Sequence, residues 1–89
     1  MVQSIKESHV SEALKTGIYR HYKGKHYQVI GVARHSETEE AHVVYRTLYG
    51  ERGLWIRPLA MFCETIERDG RLLPRFVWVA AEEGDLESL

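Results

Sequence analysis

After Gly17 the apolar residues of this chain fall at every second position, in segments too short to be anything but β-strands. "GIYRHY", "KHYQVIGVARHS", "HVVYRTLY", "LWIRP", "MFCETIER" and "RFVWVA" are rich in β-branched and aromatic residues, which suit a pleated, half-buried surface. They are separated by "KG", "ETEEA", "GERG" and "DGRLLP", stretches with turn chemistry. The pattern predicts five or six antiparallel strands in a meander. Strands this short must protect their edges, so the expected fold is mainly β, a small barrel or roll. At 89 residues the chain is one domain that buries only about 60–65% of its unfolded surface, which leaves little room for a deep enzyme cleft.

The segments divide the chain into three. Residues 1–16 predict a short helical extension: Ser4 caps, Glu7 completes a capping-box spacing and Gly17 follows the last turn. Its apolar stripe of Ile5, Val10, Ala13 and Leu14 is thin, so it needs the rest of the domain to dock on. Residues 17–80 form the β domain. Residues 81–89 carry four carboxylates and no cation, and read as a frayed acidic tail, with the alternative that the tail folds over the basic region Lys15–His35 and competes with an anionic ligand.

The first hairpin fixes a register. A two-residue turn would force Lys23 to positive φ, whereas a three-residue loop over Tyr22, Lys23 and Gly24 asks that only of the glycine. Tyr19 then lies opposite Tyr27 on the core face, with Val29 and Ala33 further along, and Arg20 opposite His26 on the other. The same alternation pairs Val43 with Tyr45, Trp55 with Arg57, and Phe76 with Trp78 on inner faces. Ile30 and Val32 face outward, where the N-terminal helix is placed to cover them.

Twelve lysines and arginines balance thirteen carboxylates. Without the acidic tail the remainder is only mildly basic, far from the footprint of a sequence-independent DNA binder. No apolar run is long enough to span a bilayer, and the N-terminus lacks the apolar centre of a signal peptide. One cysteine, Cys63, excludes an intrachain disulfide. The expected location is the cytoplasm, and no membrane partner is expected.

Taken in order, "GIYRHYKGKHYQVIGVARHSE", "VVYRTLYG", "LWIRPLAMFCE" and "PRF" resemble the bacterial domain of unknown function 1653 family, from Gly17 to about Val79. The resemblance implies an SH3-like β-barrel and no activity. The N-terminal helix and acidic tail lie outside it.

Three readings of function follow from the residues. The first is a non-enzymatic binding module for a peptide, nucleotide or short nucleic-acid segment. Trp55 and Arg57 share one face of a short strand that Pro58 ends, and an indole beside a guanidinium can hold a ring or an anion. With Arg20, Tyr22, Tyr45, Arg46 and Tyr49 they make a candidate patch of the kind used on small barrels. Against it, Trp55 could close one barrel end while Arg57 pairs with Glu64. The second reading is a small metal-assisted or acid/base hydrolase: "HSETEE" places His35 beside Glu37, but the other histidines lack zinc-ligand spacing, so neither a metal nor a cofactor is assigned. His35 also reads as a partly buried histidine held by Glu37 or Glu64. Cys63, alternating with Phe62 and Glu64 on a strand, reads as apolar filler. The third reading is a structural domain, monomer or weak homodimer, that pairs its own edges.

Overall fold

The structure, a computed structural model, describes residues 14–88. The N-terminal helix expected for residues 1–16 lies, apart from Leu14 to Thr16, outside the described residues; those three are not helical. Seven strands follow: β1 (Gly17–His21), β2 (His26–Arg34), β3 (Ala41–Thr47), β4 (Leu54–Pro58), β5 (Thr65–Arg68), β6 (Arg71–Pro74) and β7 (Phe76–Ala80). A single helical turn, α1 (Leu59–Phe62), links β4 to β5, and a 3₁₀ helix spans Glu83–Ser88. Five strands form one antiparallel sheet in the order β4-β3-β2-β1-β7, and β5 pairs only with β6.

The first hairpin takes the expected register, Tyr19 opposite Tyr27 and Arg20 opposite His26. Gly24 has φ +110° while Lys23 stays at negative φ, and the loop closes through Gly24 N–H to the His21 carbonyl at 2.7 Å. Tyr19, Tyr27, Val29, Val43, Tyr45, Phe62 and Phe76 fill the space inside the curled sheet. Rings dominate this core: Phe62 stacks on Phe76 at 4.1 Å, and Tyr19 meets Phe62 edge-on at 5.2 Å. A short chain gains most of its buried area from such residues.

Several expectations fail, each for a local reason. The barrel does not close, because β4 and β7 are the two sheet edges and do not pair. The roll nevertheless brings the edges close, with the Arg57 guanidinium 5.3 Å from the Phe76 ring centre. In β2 a bulge between Val29 and Gly31 shifts the register and reverses the parity beyond it. Val32 therefore shares Val43's face, whereas Ala33 sits opposite His42. "MFCETIER" is not one strand. Phe62 is the buried anchor of α1, and Cys63 is its exposed C-cap. The "DGRLLP" stretch hides β6, paired with β5 through an Asp69-Gly70 turn with both residues at positive φ, the hairpin chemistry of a type I′ turn. The acidic end is no frayed tail but a 3₁₀ helix whose Glu83 carboxylate grips Arg52 through two hydrogen bonds, at 2.6 and 3.0 Å.

Candidate functional site

A cleft of about 510 Å³ opens beside β4, between the inner face of the sheet and the β3–β4 loop. Its floor is built from the buried rings of Tyr27 and Tyr45, with the exposed Tyr49 beside them. Tyr27 meets Tyr45 edge-on at 5.5 Å and Tyr49 at 5.7 Å, and the Tyr27 and Tyr49 hydroxyls hydrogen-bond at 3.2 Å. Burial, reinforced by that hydrogen bond, pushes the Tyr27 phenol far above its ordinary range, so it stays neutral and serves as a wall, not a base.

Register explains why Trp55 and Arg57 reach this place. Trp55 lies opposite Tyr45, and Arg57 opposite Val43, so both project to the core side of β4, an edge strand among the described residues. Trp55 keeps 58% of its surface exposed. The Arg57 guanidinium stands 6.0 Å from the Tyr45 ring centre and 5.3 Å from that of Phe76, within reach of the negative ring faces. No carboxylate among the described residues lies within ion-pair distance of it. Glu64, the suspected partner, instead binds Arg75 at 2.8 Å. At the rim, Arg52 adopts positive φ (59°), gives its guanidinium to Glu83 and accepts Arg46 Nη1 at its carbonyl, 2.7 Å away.

The cleft thus gathers Tyr45, Tyr49, Trp55 and Arg57, and leaves the other candidates elsewhere. Arg20 faces outward between His26 and Val77. Arg46 is outward too, opposite Gln28 and Leu54. Tyr22 lies at the tip of the first hairpin, in a separate depression with Lys23, Ile66, Glu67 and Arg68, the Arg68 guanidinium 5.6 Å from its ring centre. His35 starts the β2–β3 turn, where its Nδ1 accepts the Glu37 and Thr38 amides at 3.1 and 3.2 Å. That bond organises the turn backbone and leaves the Glu37 side chain exposed, with its carboxylate taking the Ser36 hydroxyl. His35 and Glu37 thus share an open turn and line none of the concavities described above, and among the described residues no three His, Cys, Asp or Glu side chains converge as metal ligands would. Partial burial of the Cys63 thiol raises its pKa, the opposite of what activates a nucleophile.

Sequence reasoning missed the "GERG" loop, treating it only as punctuation. Glu51 and Arg52 line the cleft with the loop glycines. A charged turn next to an exposed tryptophan was the available signal, because loops on a rigid sheet commonly carry function.

The fold and cleft define a small, mainly antiparallel β domain with an aromatic recess in which Arg57 has no carboxylate partner among the described residues. The chain belongs to the family described as "Protein of unknown function (DUF1653)", whose model matches residues 17–78. A crystal structure of a DUF1653 protein from Bordetella bronchiseptica is similar, at 40% identity and TM-score 0.72, covering 79% of this chain and 92% of that one. No curated protein matches the chain. Among the described residues no helix is long and apolar enough to cross a membrane.

Proposed function

We propose that this protein is a non-enzymatic binding module, an SH3-like roll left open between β4 and β7, working in the cytoplasm. Its cleft takes a ligand that carries an anionic group beside a planar or apolar one. The anion meets Arg57 and the apolar part lies against Trp55 and Tyr49. The supporting observation is the state of Arg57: a guanidinium held over two rings, in a recess, with no carboxylate partner among the described residues. A cation so placed keeps its fork of donors for an incoming carboxylate or phosphate.

The test is a titration of Trp55 fluorescence, with thermal shift in parallel, against mononucleotides, short single-stranded oligonucleotides and acidic peptides. One class should raise the melting temperature by mass action. Arg57→Ala and Trp55→Ala should each weaken binding about tenfold, which shrinks the shift at a given ligand concentration, and leave the far-UV spectrum intact. If no anionic ligand class moves either signal, or if the affinity is unchanged by both substitutions, the binding reading is wrong.

A further inference from the structure

The cleft borders an unfinished sheet. β4 is an edge strand, and Leu54, Trp55 and Ile56 remain 57–59% exposed. Which of its amides are free follows from two hydrogen bonds. Thr47 N–H donates to the Gly53 carbonyl at 3.2 Å on the β4 side, and Leu48 N–H donates to the His26 carbonyl at 3.1 Å on the β2 side. Antiparallel partners alternate between bonded and non-bonded pairs. With Tyr45 opposite Trp55 and Val43 opposite Arg57, the Trp55 and Arg57 amides are the ones turned toward β3. The amides and carbonyls of Leu54 and Ile56 therefore point away from the sheet. Pro58, which has no N–H to offer, falls on that same open side, where proline is tolerated.

An open row of donors and acceptors is a template for another strand. Two occupants, a second copy of the chain and an extended peptide, fit the backbone equally well. A second copy paired about Ile56 would set Trp55 of each chain opposite Arg57 of the other, and both guanidiniums would still lack an anion. A nucleotide would supply the anion but leave the Leu54 and Ile56 amides unpaired and their side chains in water. An acidic peptide satisfies both demands at once.

We propose that the β4 edge receives an extended acidic peptide as an added strand, with an Asp or Glu of the peptide opposite Arg57. Two positions along the peptide, on the same face, an aromatic or β-branched side chain lies against Trp55, and the residue between them covers Ile56. The inference rests on the binding reading above and specifies its ligand class. In an antiparallel arrangement the acid precedes the aromatic residue in the peptide; in a parallel one it follows.

The experiment selects binders from a linear peptide library displayed on phage, using the full chain, then follows amide hydrogen exchange by NMR with the enriched peptide. Enriched sequences should share an acidic residue two positions from an aromatic or β-branched one. Exchange at Leu54 and Ile56 should slow at least about tenfold on saturation, while the Trp55 and Arg57 amides, already bonded to β3, change little. Arg57→Ala should weaken binding about tenfold, as loss of a charge-assisted hydrogen bond does, and methylating the peptide amide that faces Ile56 should weaken it with the protein unchanged. Binding that needs Arg57 but leaves Leu54 and Ile56 exchanging freely, as a nucleotide's would, overturns strand addition while the binding reading stands. Failure to enrich any peptide, enrichment of sequences without an acid, or indifference to Arg57→Ala overturns the peptide. Protection of the same amides without peptide, with a doubled mass in sedimentation, would mean that a second copy takes the edge and overturns it as well.

Discussion

The sheet has two edges made of similar residues and treated in opposite ways. β7, "FVWVA", buries Phe76 and Ala80. Its Trp78 indole donates to the Thr16 carbonyl at 3.1 Å, beneath the Lys15 ammonium at 3.6 Å from its ring. On the reverse face Ile18, opposite Ala80, is fully buried. β4, "LWIRP", has the same mix of an indole and branched aliphatics, yet no residue of it is buried. In sequence β4 differs in carrying Arg57 and Pro58, and proline is tolerated at an open edge. The burial differs with what the chain places against each: β7 is closed by residues more than sixty positions earlier, and among the described residues no strand pairs with the outer side of β4. Burial is therefore concentrated at one edge and absent from the other.

The sharpest way to break that comparison is at Phe76. Phe76→Ala removes a ring stacked on Phe62 and touching Tyr27, and should cost about 3–5 kcal/mol, much of a small domain's total stability. Ile56→Thr, the counterpart on the other edge, should stay within about 0.5 kcal/mol. Urea denaturation of both variants checks this; equal losses would mean that β4 is covered after all. Gly17→Ala should rank second. A Cβ there would lie 2.7 Å from both the Ala80 carbonyl oxygen and Trp78 Nε1, at φ +133°. Strain of this kind costs about 1–3 kcal/mol, read by the same denaturation, and Gly24→Ala, with open space around it, should cost less.

How far the sequence discloses this asymmetry depends on the residue. The Tyr19–Tyr27 register is legible because one glycine dictates the turn. Trp55 and Arg57 are legible as a pair because strand alternation is short-range. The bulge at Ile30 is not, since it is a backbone event whose trace in the sequence, Gly31, has other uses. The Asp-Gly of residues 69–70 did announce a hairpin, but the exposed β6 it makes lacks the apolar alternation that marks a strand. Phe62 is ambiguous by nature: four residues are too few for either period to be read. Exposure of an edge is the least legible property of all, because it is set by distant segments.

A pH titration sharpens the contrast from the core side. His21 packs between Tyr22 and Phe76, with ring centres 4.5 and 4.9 Å away. Burial lowers its pKa, and Arg57, Arg75 and Lys23 lower it further. The folded state thus binds a proton less readily than the unfolded state. The stability from the neutral ring is present above the ordinary value of 6.5 and is lost as pH falls through the lower folded value. The melting temperature should decline over that window, and His21→Phe should flatten the decline. An unchanged slope in the variant would show that the ring's protonation is not linked to folding.

The smallest effect belongs to the ion pair at the cleft rim. The Arg52–Glu83 bridge is bidentate at 2.6 and 3.0 Å but its side chains remain almost half exposed. The Arg52 hydrogen bond holds the Glu83 carboxyl below its ordinary value of 4.5, so any contribution is present above that value and disappears as acid protonates the folded carboxylate. Water and salt screen such a pair almost completely. Glu83→Gln should leave the melting temperature unchanged at physiological ionic strength, and a clear fall would place this pair among the groups that hold the fold. The contrast with Arg57 is chemical: Arg52 already has its carboxylate from the same chain, while Arg57, nearer the rings, has no acid partner among the described residues. Releasing Arg52 by Glu83→Gln should then strengthen capture of an acidic ligand only slightly, whereas Arg57→Ala should weaken it about tenfold. If the two substitutions proved equal in size, the anion would be reading the rim and not the recess.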